Sequence, residues 1–255
     1  MVLKILPVRL SRNLSLIINI EKREVILVGT SIDSLTVLIP AYNEKKTIQA
    51  TIQAVKNSGQ VDQIIVINDC SQDETSRLAK EAGAEVLDLP RNLGKGGALN
   101  CGLKMATGNI IALLDADLGK TASEVTKLIE PIRSNKADLT IGRFPPAGRK
   151  GGFGLVTRLA KKGIRSYTGL EVSSPLSGQR VMRREILNQI GPFESGFGVE
   201  VGMTIDVFRH GFRVKEVPVV MSHAETGRDL AGFLHRGRQF WDVALVLISR
   251  LFIKR

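Results

Sequence analysis

The chain has 255 residues, 43% of them hydrophobic and 24% charged, which excludes intrinsic disorder and fibrous repeats. Its 36 Lys and Arg against 25 Asp and Glu leave a net charge of +11, which predicts anionic company: a phosphorylated substrate, an anionic membrane surface or nucleic acid. Aromatics make up only 5%, little for base stacking, and Cys70 and Cys101 form neither a disulfide framework nor a CxxC pair, so a reducing, cytoplasmic setting is expected.

Residues 1–33 read as an N-terminal extension. In it, Leu16–Ile20 and Val25–Val28 flank Glu21-Lys22-Arg23-Glu24 as a hairpin. From Leu35 the pattern becomes regular. Thr36–Ile39 is a buried-strand run stopped by Pro40, and Ile48, Ile52 and Val55 follow at helical spacing. Ile64–Ile67 and Glu85–Leu89 are strands, separated by a short helix through Leu78, Ala79 and Ala82 that ends near Gly83. Leu99, Gly102, Leu103 and Ala106 share a helical face before the strand Ile110–Leu114. Thr121-x-x-Glu124 reads as a capping box opening a helix with Val125, Leu128, Ile129 and Ile132 on one stripe, which Pro131 should kink or end. Leu139–Ile141 is a fifth strand. A Gly-rich basic loop follows, with seven Lys or Arg and no acid between Arg143 and Arg165. Helices are expected at Arg180–Ile190 and Val199–His210, a strand at Val217–Met221, and a last amphipathic helix within 230–255. Strands alternating with helices, the strands continuously apolar, predict an α/β fold. It is a mostly parallel, Rossmann-like sheet with helices on both faces, spanning 34–229.

On such a sheet ligands bind beyond the carboxyl ends of the strands. Asp115-Ala116-Asp117 lies there, directly after a strand. Two carboxylates so placed can hold Mg2+ or Mn2+ against a diphosphate, because hard cations take oxygen ligands from one or two carboxylates and from phosphates. Asn92-Leu93-Gly94-Lys95-Gly96-Gly97 opens a helix, where backbone N–H groups and a lysine favour anions. It is not a dinucleotide fingerprint, since Leu99 stands where Gly or Ala is needed. Gly119-Lys120-Thr121 is not a P-loop, since Leu114 stands at its first Gly position. After the second strand, Asp69 is a candidate acceptor for a base N–H or a ribose hydroxyl, while Asp73 reads as an acid at a helix start.

Together these segments resemble the family-2-like nucleotide-sugar glycosyltransferases of the GT-A fold. The resemblance rests on Val37-Leu38-Ile39-Pro40-Ala41-Tyr42-Asn43-Glu44, the Asp69 segment, Asn92-Leu93-Gly94-Lys95-Gly96 and Asp115-Ala116-Asp117, in that order. Asn68 departs from it, standing where relatives often carry a second acid. The resemblance implies a UDP- or GDP-sugar donor, UDP foremost. Pro40, Ala41, Tyr42, Glu44, Asp69 and Lys95 would hold the nucleoside, Asp115 would lie near the ribose or metal, and Asp117 would bind the metal.

Farther on, Pro175-Leu176-Ser177-Gly178-Gln179-Arg180, Gly196-Phe197-Gly198-Val199-Glu200 and His223 are similar to glucosyl-3-phosphoglycerate synthases. That similarity implies His223 as a further metal ligand, and Gly178, Gln179 and Arg180 in the acceptor or sugar pocket. Glu200, at a helix start that favours negative charge, is the candidate to orient the acceptor, act as base or stabilise positive charge at the anomeric carbon. Arg228 is a candidate phosphate clamp. The expected enzyme moves a hexose to a phosphate-bearing acceptor such as 3-phosphoglycerate. Polyprenyl phosphate at the membrane surface is the alternative within this class, and a basic nucleic-acid-binding protein is the alternative outside it, although no nucleic-acid reader motif is present. The tail Trp241–Ile253 suits an interfacial helix at the inner membrane face or a homodimer contact.

Overall fold

The computed structural model describes residues 5–11, 14–19, 24–28, 34–145, 154–194, 196–221 and 230–252. Two compact units divide between Ser34 and Leu35. The first is an antiparallel sheet of β1 (Ile5–Ser11), β2 (Leu14–Asn19) and β3 (Glu24–Val28) in that spatial order, with Leu16 opposite Leu27 and Ile18 opposite Val25. The expected hairpin corresponds to β2–β3. β1 was not expected, because Pro7 interrupts its apolar run. Proline is tolerated there because β1 is an edge strand, with one side free of ladder hydrogen bonds.

The second unit begins with β4 (Leu35–Ala41), α1 (Ile48–Asn57), β5 (Gln63–Asn68), α2 (Thr75–Glu81), β6 (Glu85–Asp88), α3 (Gly94–Leu103) and β7 (Ile110–Leu113). After a 3-10 turn at Gly119–Glu124 come α4 (Val125–Arg133), β8 (Leu139–Arg143), α5 (Leu155–Thr168), β9 (Arg180–Arg183) and α6 (Arg184–Ile190). It closes with α7 (Val199–Arg209), β10 (Val214–Pro218) and α8 (Leu230–Phe252). The sheet order is β10-β8-β9-β7-β4-β5-β6, parallel except for β9, which runs against both β7 and β8.

Strand alternation sorts the core. Leu35, Val37 and Ile39 of β4 face α1 and α4, while Leu38 faces α3 and α7. Both faces are covered, which is why the strands read as continuous apolar runs. A third cluster joins Ala160 and Ile164 of α5, Val201 and Ile205 of α7 and Val243 of α8.

Several local expectations are corrected. β4 does not stop at Pro40 but pairs with β5 as far as Ala41. Its pairing with β7 ends at Leu38, so the position where Pro40 lacks an N–H faces a place the ladder has already left. Thr121 and Glu124 form no capping box. The Thr121 hydroxyl donates to Leu118 O, and the Glu124 carboxylate accepts from Val220 N–H and Lys127. The helix expected at 180–190 is β9 followed by α6, because Val181 and Met182 pair across to Ala112 and Ile111. Half of the expected basic loop is α5, whose Ala160 and Ile164 are buried in a cluster with α7 and α8. Among the described residues no helix is long and apolar enough to cross a membrane.

Candidate active site

The chain lays β5 and β6 on one side of β4, then crosses to place β7 on the other. The switch point therefore lies between β4 and β7, where the loops after both strands open a crevice. Because β9 is antiparallel and pairs Arg180 with Leu113, the residues just before it reach the same edge as the end of β7. This reversal brings Gly178 and Gln179 to Asp115.

Asp115 is held from several directions. Its N–H donates to Gln179 Oε1 at 3.0 Å, and its Oδ2 accepts from Gln179 Nε2 at 2.6 Å. Its Oδ1 lies 2.7 Å from Lys95 Nζ, and the same ammonium lies 2.9 Å from Glu200 Oε1. Burial opposes the Lys95 charge, but the carboxylates of Asp115 and Glu200 outweigh it, and the lysine pKa is raised. One cation thus ties three elements together: the start of α3, the end of β7 and the first turn of α7. Gly178 is required beside it, since a Cβ there would stand 2.3 Å from Lys95 Nζ and 2.8 Å from both Asp115 oxygens.

Asp117 occupies a different setting. The buried Thr51 of α1 donates to Ala116 O at 2.8 Å and accepts from Gly119 N–H at 2.8 Å, so one hydroxyl grips the chain on both sides of Asp117. Opposite stands Glu44. Burial raises its carboxyl pKa; the Thr47 hydroxyl works the other way, and the carboxylates of Asp117, Asp73 and Asp115 raise it further. The loops bearing these acids are stitched together. Asn43, at φ 57, takes Gln72 N–H on its side chain and gives its own N–H to Ser71 Oγ, while Glu44 N–H donates to Thr75 Oγ1. Hard oxygen donors around a surplus of negative charge fit Mg2+ or Mn2+, which need few protein carboxylates when phosphates complete the shell. Among the described residues no group of three or more His, Cys, Asp or Glu meets a ligating arrangement, so Asp117 would be the protein's main contribution there.

The remaining expected site residues fall into four groups. Pro40, Ala41 and the exposed Tyr42 lie at the mouth of the crevice, where β4 ends. Asp69 is buried at the foot of the α3 loop: Oδ1 takes Leu93 N–H at 2.7 Å and Oδ2 takes Gly94 N–H at 2.8 Å. It therefore shapes the loop that presents Lys95. Arg180 does not line a pocket, contrary to expectation. It has no exposed surface, and its guanidinium donates to Ser177 O, Thr204 Oγ1 and Pro175 O. Burial lowers its pKa to about 10, against the opposing influence of Glu200 and Glu216. Its work is to fix the segment before β9. His223 and Arg228 lie outside the described residues.

Thr51 is the contributor that sequence reasoning passed over. The signal was available: a threonine at the i+3 position of the otherwise apolar stripe Ile48, Ile52, Val55 is a polar group in search of a partner.

Paired acids at the switch point, a lysine at one helix start and a carboxylate at another mark this edge of the α/β sheet as the candidate active site. The family description glycosyl transferase family 2 matches residues 36–191, and the chain belongs to that family. An uncharacterised protein of Methanocaldococcus jannaschii is 32% identical over 203 residues, which cover 76% of this chain and 83% of that protein. A glucosyl-3-phosphoglycerate synthase of Mycolicibacterium smegmatis is 32% identical over 195 residues, which cover 69% of this chain and 64% of the synthase. The chain thus spans just under two thirds of that enzyme. A crystal structure of the Mycobacterium tuberculosis synthase with Mn2+, UDP-glucose and phosphoglyceric acid aligns with a TM-score of 0.73 at 28% identity, over 88% of this chain and 81% of that one. Another, with Mg2+ and UDP, aligns equally well, at a TM-score of 0.73.

Proposed function

We propose that this chain transfers a glucosyl group from UDP-glucose to the hydroxyl of a phosphoglycerate, with Mg2+ or Mn2+ held through Asp117. The observation that carries this reading is the ion-paired bridge Asp115–Lys95–Glu200. It joins the donor side of the crevice to the helix that bears the acceptor-side carboxylate. The likeness to synthases crystallised with these ligands supports the choice of donor and acceptor.

In the reaction the bond from the anomeric carbon to the diphosphate oxygen breaks with its electron pair going to UDP, the acceptor oxygen bonds to that carbon, and the hydroxyl proton passes to the departing diphosphate or to water. The backbone at Pro40–Tyr42 and the Tyr42 ring bound the nucleoside. Lys95 bridges Asp115 and Glu200 and holds them at fixed distance, so the site is organised before substrate arrives. Glu200 orients the acceptor hydroxyl or stabilises positive charge developing at the anomeric carbon. Gly178 and Gln179 form the floor beside Asp115. A divalent ion, when bound, would supply Lewis-acid neutralisation of the departing diphosphate, with Asp117 as ligand and His223 as a second. Arg228 would clamp the acceptor phosphate.

The test is UDP release from UDP-glucose in the presence of 3-phosphoglycerate and Mn2+. Acceptor-dependent release that stops on chelation is the expected result. Release that needs polyprenyl phosphate instead would reassign the acceptor. Absence of nucleotide-sugar binding in a thermal-shift panel would overturn the reading.

A further inference from the structure

Eight large hydrophobic side chains are exposed among the described residues, and five of them lie on α5 and α8: Leu155, Trp241, Leu245, Ile248 and Leu251. All five are 51–66% exposed, and the four on α8 recur along one helix rather than singly. On α8 the four run along the side turned away from the core, while Val243, Val246 and Arg250 face inward. The helix is firmly seated. Arg250 is buried and pairs with Asp206 of α7 and with Glu194, and Val246 closes on Gly198. The outward stripe is therefore held in place on a docked helix.

α5 lies directly alongside. Gly163 abuts Leu247, and the Tyr167 hydroxyl donates to Leu247 O at 2.7 Å. The exposed positions of α5 carry Arg158, Lys161, Lys162 and Arg165, and the helix has no acid. The sole acid of α8, Asp242, lies against Gly196 on the inward side.

We propose that the α5–α8 surface docks on an anionic lipid bilayer, with the α8 stripe entering the interface and the α5 cations facing the headgroups. Apolar area and cations on neighbouring helices are the two elements of interfacial binding. A tryptophan with aliphatic neighbours suits the boundary between headgroup and acyl chain. The charge favours lipid over a second copy of the chain, because self-association through this face would bring two cationic α5 helices together.

Trp241 is the only tryptophan in the chain, so its fluorescence reports on this surface alone. The full chain is mixed with phosphatidylcholine vesicles, with or without phosphatidylserine. Docking predicts a blue shift and co-flotation with the serine-containing vesicles only, weakened roughly tenfold at high salt as the Debye length shortens. Leu245→Glu with Ile248→Glu should abolish both signals. Lys161→Glu with Lys162→Glu, both exposed, should remove the preference for anionic lipid. Both variants should keep their nucleotide-sugar thermal shift, so failure of docking and failure of the proposed activity are read separately. No shift and no flotation of the unsubstituted chain would overturn the proposal. So would a concentration-dependent dimer that the α8 variant dissolves while vesicles remain unbound.

Discussion

Asp115 and Asp117 leave the same strand end, yet the ground on either side of their loop differs. Toward α3, β9 and α7, charge is balanced: Lys95 stands between two carboxylates, and Gln179 accepts from the Asp115 N–H and donates to its carboxylate. Toward α1 and the β5 loop, acids gather, and Glu44 feels Asp117, Asp73 and Asp115 at once, which helps raise its carboxyl pKa. A short acidic motif therefore contains two devices. One acid locks the frame of the crevice, and the other adds to a negative field that a cation and a diphosphate would complete.

The strongest way to break this contrast is to remove each acid's charge in turn. Asp117→Asn should lower the transfer rate by about a thousandfold, as expected for loss of a group that acts on transition-state charge. It should also erase the metal-dependent part of the nucleotide thermal shift while leaving the melting temperature without ligand unchanged or slightly higher. A variant that keeps full rate in the UDP-release assay would show that the acid-rich side does no chemistry.

Lys95→Met attacks the balanced side. It strands Asp115 and Glu200 against each other, and should cost about 2–3 kcal/mol, less than the ~3–5 of a fully buried pair because the lysine and Asp115 are a quarter exposed. The pH dependence follows from the raised lysine pKa. The lysine's contribution is fully present at neutral pH and is lost only as pH rises well beyond the ordinary lysine value. The variant's deficit should thus be large at neutral pH and shrink only at alkaline pH, beyond the ordinary lysine value. Urea melts at several pH values measure this, and equal stability at neutral pH would remove the bridge from the account.

Thr51→Val sharpens the comparison, since it leaves every charge in place. It removes the hydroxyl that grips Ala116 and Gly119 and leaves a buried carbonyl and N–H without that partner, costing about 1–2 kcal/mol. If the position of Asp117 matters, kcat should fall about tenfold with little change in KM for the acceptor. A stability loss with unchanged kcat would reduce Thr51 to a packing residue.

Much of this was legible in the sequence. β4, β5, β7 and the stripes of α1 and α4 followed from apolar periodicity, and the ligand edge followed from their alternation. What escaped was non-local. β9 looks helical because Arg180–Arg183 is short and runs into α6; only pairing with β7 and β8 makes it a strand. That reversal decides that Gln179 meets Asp115 and that Arg180 is buried, and no local pattern announces it. Asp69 was legible as important, but its task of anchoring Leu93 and Gly94 depends on a fold-back between two loops.

The same fold-back explains the departure at Asn68. Its amide donates to Asp88 Oδ1 at 2.8 Å and its carbonyl accepts from Ser71 N–H at 3.2 Å, so the residue couples β6 to the loop that carries Asp69. Lys80 and Ser76, followed by Asn68, pull the Asp88 pKa down to about 2. A depressed carboxylate stabilises above its unfolded value and loses that contribution as pH falls through about 2. Asn68→Asp would set a second carboxylate against Asp88. Because Asp88 is half exposed and Lys80 also screens it, the loss at neutral pH should be small, roughly 0.5–1 kcal/mol. It should fade in mild acid as the new acid takes up a proton. The transfer rate should fall less than for Thr51→Val, because the balanced side of the crevice keeps every contact that holds Asp115. If this substitution instead silenced the enzyme, the seat of Asp69, and through it Lys95, would depend on the outer strands far more tightly than the geometry indicates.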